Sequence, residues 1–141
     1  MKDFSSYIGI IGGGIAGLTA GCILKSHGIN TIIFERSKHI SEYGAGISIS
    51  ANGLKVFDEI GITNILADSG FTPSETNFQY LDSILKKLDI KSLITSSRKE
   101  ILHTLCLEYS KLGGEILYAH DHINIDINSC EIAFSNNAKY K

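Results

Sequence analysis

Apolar residues fall in short runs along this chain, and the change of their period from two to about 3.6 marks the elements. An apolar run from Tyr7 to Ile11 predicts a strand, and the glycines that follow open an amphipathic helix that stops near Gly28. A second strand is predicted over Thr31 to Phe34, capped by Glu35. A polar loop covers Ser37 to Tyr43, and Gly44-Ala45-Gly46 leads into a short extended piece at Ile47-Ser48-Ile49. Ser50 or Asn52 caps a helix over Leu54, Val56, Phe57 and Ile60, which Gly61 ends. Residues Ile62 to Pro73 read as irregular with one helical turn at Ile65 to Asp68. Asn77 to Leu81 alternates like a strand, and Asp82 to Leu93 fits helix or strand equally. Ser97-x-x-Glu100 is a capping box for a helix running to Lys111, with Ile101, Leu102, Leu105 and Tyr109 at helical spacing. After Gly113-Gly114 come three β segments, Ile116 to Ala119, His122 to Ile127 and Cys130 to Phe134, with an Asn128-Ser129 turn and a polar tail from Asn136.

The glycine-rich junction carries the chemistry. Gly12-x-Gly14-x-x-Gly17 stands between a strand and a helix, and Glu35 lies 18 residues past Gly17 at the end of the next strand. That is the sequence form of a βαβ unit that binds the ADP half of a dinucleotide, where an acid about 20 residues on accepts from the ribose hydroxyls. Gly12 permits the tight turn, Gly14 removes a side chain that would hold the backbone off a pyrophosphate, and Gly17 lets the helix approach the sheet. Gly13 completes the turn. The N–H groups around Ile15 and Ala16 point at the phosphates with the positive end of the helix dipole behind them.

Composition narrows the remaining classes. With 141 residues, 43% apolar and 20% charged, the chain reads as one globular domain. A net charge of −2 with scattered Lys and Arg gives no footprint for nucleic acid or an anionic membrane. The uncharged stretch Phe4 to Leu24 holds six glycines and no unbroken apolar core of about 18 residues, which argues against a signal peptide or transmembrane segment. Cys22, Cys106 and Cys130 lack a C-x-x-C spacing, so reduced thiols in a cytoplasmic protein are expected. His120 and His122 would share one strand face, but the five histidines form no metal pattern and no metal is expected.

Four stretches together resemble the N-terminal part of the class A flavin-dependent monooxygenases, the aromatic-hydroxylase group. They are the glycine ladder continued by Gly21 and Gly28 and ending at Glu35-Arg36; Gly44-Ala45-Gly46-Ile47-Ser48-Ile49-Ser50-Ala51-Asn52-Gly53, which departs from the group's pattern by Ala51 in place of a proline; Arg98-Lys99-Glu100-Ile101-Leu102; and Gly113 through Ile125. The resemblance implies a Rossmann-like three-layer α/β fold with a parallel sheet, truncated. Residues 1–141 would form one FAD-binding domain, with the substrate domain largely absent. It further implies FAD as cofactor and NAD(P)H as transient electron donor, with oxygen insertion into a small, aromatic substrate. Arg36, Gly44, Gly46 and Arg98 would join Gly12, Gly13, Gly14, Ile15, Ala16, Gly17 and Glu35 at the cofactor, with a main-chain group near His122 at the adenine. No catalytic residue is named.

The family's later Asp-Gly and Gly-Asp motifs have no counterpart in the sequence, so a second chain supplying them is one expectation. Two other readings stay open: an NAD-dependent oxidoreductase domain, and a non-catalytic remnant or subunit that needs a partner chain.

Overall fold

The computed structural model describes residues 4–39, 44 and 46–140. In chain order the elements are β1 (Ile8–Ile11), α1 (Ile15–Ser26), β2 (Thr31–Phe34), β3 (Gly46–Ser50), α2 (Ala51–Ile60), α3 (Thr63–Ser69), β4 (Glu75–Tyr80) and β5 (Ser83–Asp89). They continue as β6 (Leu93–Ser97), α4 (Arg98–Lys111), β7 (Glu115–Leu117), β8 (His122–Asp126), β9 (Glu131–Phe134) and β10 (Lys139–Tyr140). These group into two compact units, residues 1–42 with 102–141, and residues 43–101.

The first unit is built around β2. This strand pairs in parallel with β1, from Ile8 opposite Thr31 to Ile11 opposite Phe34, and with β7, from Ile32 opposite Glu115 to Phe34 opposite Leu117. All four of its residues are buried, as expected of a parallel strand covered on both faces. Thr31 and Ile33 face the helices. The Tyr109 hydroxyl of α4 donates to the Thr31 carbonyl (3.1 Å) and lies 2.9 Å from the Thr31 hydroxyl. A Cβ on Gly21 of α1 would come within 2.8 Å of the Tyr109 ring and 3.2 Å of Ile33, so a bare glycine is what allows α1, α4 and the sheet to meet there. Ile32 and Phe34 point the other way, into a core with Phe4 and Phe134, against which Tyr7, Leu117, Ile132 and Tyr140 pack. The third layer is therefore the antiparallel sheet β8–β9–β10, with Phe34 and Phe134 ring centroids 4.7 Å apart.

The second unit pairs β3 antiparallel with β6, from Gly46 opposite Ser97 to Ser50 opposite Leu93. Helix α2 buries Leu54, Phe57 and Ile60, and α3 buries Leu66. The hairpin β4–β5 carries a register shift between Phe78 and Gln79 and leaves Tyr80, Leu81 and Leu85 exposed.

The expected strands and helices around the glycine turn stand where the apolar periods place them. Four other expectations change. Residues 62–73 are more regular than expected: the single turn expected at Ile65 to Asp68 lies within the longer α3, anchored by Ile62 and Leu66, both fully buried. The ambiguous 82–93 stretch becomes β5 and the start of β6, because backbone pairing with β4 and β3 supplies what periodicity could not. The polar tail contains β10, where the Tyr140 ring packs against Phe4, Phe34 and Phe134. His120 precedes β8 rather than sharing a strand with His122, its ring turned toward Phe34 and Phe134. Ser50 occupies the cap position of α2 without a side-chain capping bond, whereas the Ser97 hydroxyl accepts from Glu100 N–H at 3.1 Å as the capping box requires. The loop expected over Ser37 to Tyr43 lies partly outside the described residues, as does Ala45.

The three cysteines are free, and no described helix is long and apolar enough to cross a membrane. Burial, and then the charges of Glu108 and Cys106, push the Cys22 thiol up to about 12. Brief treatment with a thiol reagent at pH 8 should therefore modify exposed Cys130 and spare Cys22 until denaturant is added, which peptide mass mapping would read. Tyr109→Phe should leave the Thr31 carbonyl without its buried donor and lower stability by about 1–2 kcal/mol, measured as a shifted urea midpoint.

Candidate nucleotide site

The turn after β1 is shaped by three different demands on three glycines. Gly12 donates its N–H to the Phe34 carbonyl at 2.8 Å and takes φ +100°, where side-chain-bearing residues are strained. Gly14 is the N-cap of α1 in extended conformation, and a Cβ there would meet nothing within 4 Å. Gly17 is the opposite case. A Cβ on it would fall on the Gly12 carbonyl oxygen and reach 3.3 Å from Ile10, so α1 rests directly on the turn. Its first turn contains no acidic residue, and the N–H groups of Ile15, Ala16 and Gly17 precede the first intrahelical bond, which Leu18 donates to the Gly14 carbonyl at 3.0 Å. A cluster of donors therefore looks out past a bare glycine, the arrangement that favours an anion.

Glu35 ties this turn to the end of β2. Its Oε2 accepts from Gly13 N–H at 2.7 Å, and its Oε1 accepts from Ser37 N–H at 2.9 Å. A carboxylate offers about four acceptor positions, so the group can still accept from a further hydroxyl. Partial burial works against the charged form. The Ser37 and Gly13 N–H groups, the Ser37 hydroxyl and the neighbouring Arg36 charge outweigh it and hold the carboxyl below its usual range.

Among the other expected residues, Arg36 and His122 are both exposed, with His122 opening β8 opposite buried Phe134. In the second unit, Gly44, Gly46 and Arg98 come together. Arg98 is the first residue of α4, Gly46 pairs with Ser97 just before it, and a Cβ on Gly44 would sit 3.4 Å from the Arg98 Cβ and 3.5 Å from its Cδ. Gly44 thus lies on the stem of Arg98. Two contributors were missed from sequence. One is Ser37, whose only signal is its place two residues after the acid. The other is the 118–120 loop, whose backbone reaches Glu35 and Ser37 from more than eighty residues away and left no local signal.

The agreement extends beyond geometry. Residues 6–124 match the FAD binding domain family. The chain belongs to that family. Among its relatives, the FAD-dependent monooxygenase nodM of Hypoxylon pulicicidum is 41% identical over 123 residues, covering 84% of this chain and 26% of that protein. The 3-amino-4-hydroxybenzoate 2-monooxygenase of Streptomyces cremeus is 37% identical over 70 residues, covering 50% and 18%. The FAD-dependent urate hydroxylase of Klebsiella oxytoca is 44% identical over 61 residues, covering 43% and 16%. The chain thus spans only a minor share of the curated relatives it matches. In fold it is similar to 2-methyl-3-hydroxypyridine-5-carboxylic acid oxygenase, with TM-score 0.86 at 23% identity over 94% of this chain and 36% of that one. FAD is the cofactor of that family.

Because its folded-state value is depressed, Glu35 adds stability above the ordinary carboxyl value of 4.5 and loses that contribution as pH falls through the folded value. Denaturant unfolding of the wild type should therefore weaken below about pH 4.5, with a shallower dependence in Glu35→Gln. Parallel pH profiles of the two proteins would show that Glu35 is not the group involved.

Proposed function

We propose that the glycine turn and Glu35 hold the ADP half of FAD, and that the whole protein is a flavin-dependent monooxygenase inserting one oxygen atom into a small, aromatic substrate. The observation that carries the reading is the pairing of an open face at Gly14 with a carboxylate fixed beside it by Gly13 N–H. A Cβ at Gly14 would occupy that open face, and no acid stands in the first turn of α1 to repel phosphate. The residues present therefore fit a pyrophosphate followed by a ribose.

In this reading the N–H groups of Ile15, Ala16 and Gly17 bind the phosphates, and Glu35 accepts from the ribose hydroxyls and orients the adenosine. A main-chain group near His122 is assigned to the adenine. Arg36 adds a positive charge at the ribose end. Gly44 and Gly46 leave the backbone bare beside Arg98, whose guanidinium is assigned to the cofactor. When bound, FAD supplies the redox chemistry, taking electrons from NAD(P)H and delivering oxygen from O2. We assign no acid or base. Enclosing the substrate calls for more polypeptide than these residues provide, and a second chain is proposed as its source. A cytoplasmic location accords with the free thiols.

Titration of the purified 141-residue chain with FAD should give a Kd no tighter than about 1 μM, near −8 kcal/mol, with ADP competing. Glu35→Ala should weaken binding by about ten- to hundredfold through loss of a charge-assisted hydrogen-bond pair. Gly14→Val, checked for folding by circular dichroism, should abolish it. Unchanged affinity in both variants would place the nucleotide elsewhere.

A further inference from the structure

The segment that presents Glu35 is braced from behind by a loop distant in sequence. Glu35 N–H donates to the Leu117 carbonyl at 2.9 Å, His120 N–H donates to the Glu35 carbonyl at 2.9 Å, and Ala119 N–H donates to the Ser37 carbonyl at 3.0 Å. Ser37 is thereby shared. Its carbonyl is fixed by Ala119, while its N–H is the donor that Glu35 Oε1 accepts.

The bracing loop is itself under strain. Ala119 has φ +56°, a left-handed conformation that costs a non-glycine residue roughly 1 kcal/mol or more and persists only when its surroundings enforce it. Two side chains do so. Asn136, in the turn between β9 and β10, donates from Nδ2 to the Ala119 carbonyl at 3.0 Å, while its Oδ1 accepts from Ala138 N–H at 3.0 Å. His120 lies 2.7 Å through Nδ1 from the Tyr118 carbonyl, which can only accept. Its Nε2 is 3.3 Å from the Tyr140 hydroxyl, and its ring sits between Phe134 (5.0 Å) and Tyr140 (5.8 Å). The strained turn is thus gripped on one side by an amide from the turn between β9 and β10 and on the other by its own imidazole, whose ring is seated among the aromatic rings of the antiparallel layer.

We propose that Asn136 and His120 are positioning residues for nucleotide binding: by holding residues 118–120 in their left-handed turn they fix Ser37, and through it the orientation of the Glu35 carboxylate toward the ribose. Neither touches the nucleotide in this account. Their effect passes through the carboxylate alone, so it must depend on the hydroxyls that the carboxylate binds. This inference rests on the assignment of Glu35 to the ribose.

Asn136→Asp is the sharpest variant, because it keeps the oxygen that accepts from Ala138 and replaces only the donor to Ala119. His120→Phe keeps a ring in the aromatic layer and removes both polar contacts. Calorimetric titration of the 141-residue chain with ADP and with 2′,3′-dideoxy-ADP separates positioning from general damage. Each variant should weaken ADP about fivefold, one hydrogen bond's worth, and leave 2′,3′-dideoxy-ADP within about twofold of wild type. Equal weakening of both nucleotides, or of neither, overturns the inference. Glu35→Ala is the control for the underlying assignment: it should abolish the wild-type preference for ADP over the dideoxy form. If that preference survives, the ribose assignment itself is wrong. If Glu35→Ala abolishes it while Asn136→Asp and His120→Phe leave it intact, only the positioning role fails.

Discussion

One carboxylate joins the two turns that frame the candidate nucleotide site. Glu35 accepts from the backbone of Gly13, just beyond β1, and from that of Ser37, just beyond β2. An acid in this position would lose one of its two backbone donors if either turn moved, so the ends of the two strands are tied to each other by a shared charged acceptor. The same contacts keep the group ionised, and ionised is the form that can accept from further hydroxyls. The bond that shapes the site thus also prepares it.

The sheet beneath that site is held by its middle strand. Every residue of β2 is buried, with Thr31 and Ile33 against the helices and Ile32 and Phe34 against the antiparallel layer. Close approach on the helical side depends on glycine. Gly17 lies on the Gly12 carbonyl, and Gly21 lies on the Tyr109 ring. Glycines that a motif search assigns to ligand binding therefore divide between two tasks. Gly14 faces open space, whereas Gly17 removes space between parts of the protein.

The second unit contributes a different pairing, in which Gly44 rests on the stem of Arg98 and β3 is zipped to β6 up to the start of α4. Arg98 at a helix N-terminus is unfavourably placed for the helix dipole, and an anion nearby would offset that cost.

The sequence by itself determined the βαβ unit and its chemistry, because both are local. A strand, a turn that only glycine can make, a helix and an acid at the end of the next strand are each readable within about thirty residues of chain. The capping box at Ser97 and the glycine that ends α2 were legible for the same reason. The tertiary structure alone decided what depends on distant partners. Residues 82–93 became strands because β4 and β3 offered them backbone pairing, and the polar tail became β10 because Tyr140 had an aromatic layer to enter. His120 left the strand face assigned to it for that same layer. Glu35 could be picked out by its position, but Gly13 N–H reaches it only when β1 is laid beside β2, and the Ala119 turn reaches Ser37 only when β7 is laid beside β2. Backbone donors carry no residue identity, so no sequence pattern could have announced them.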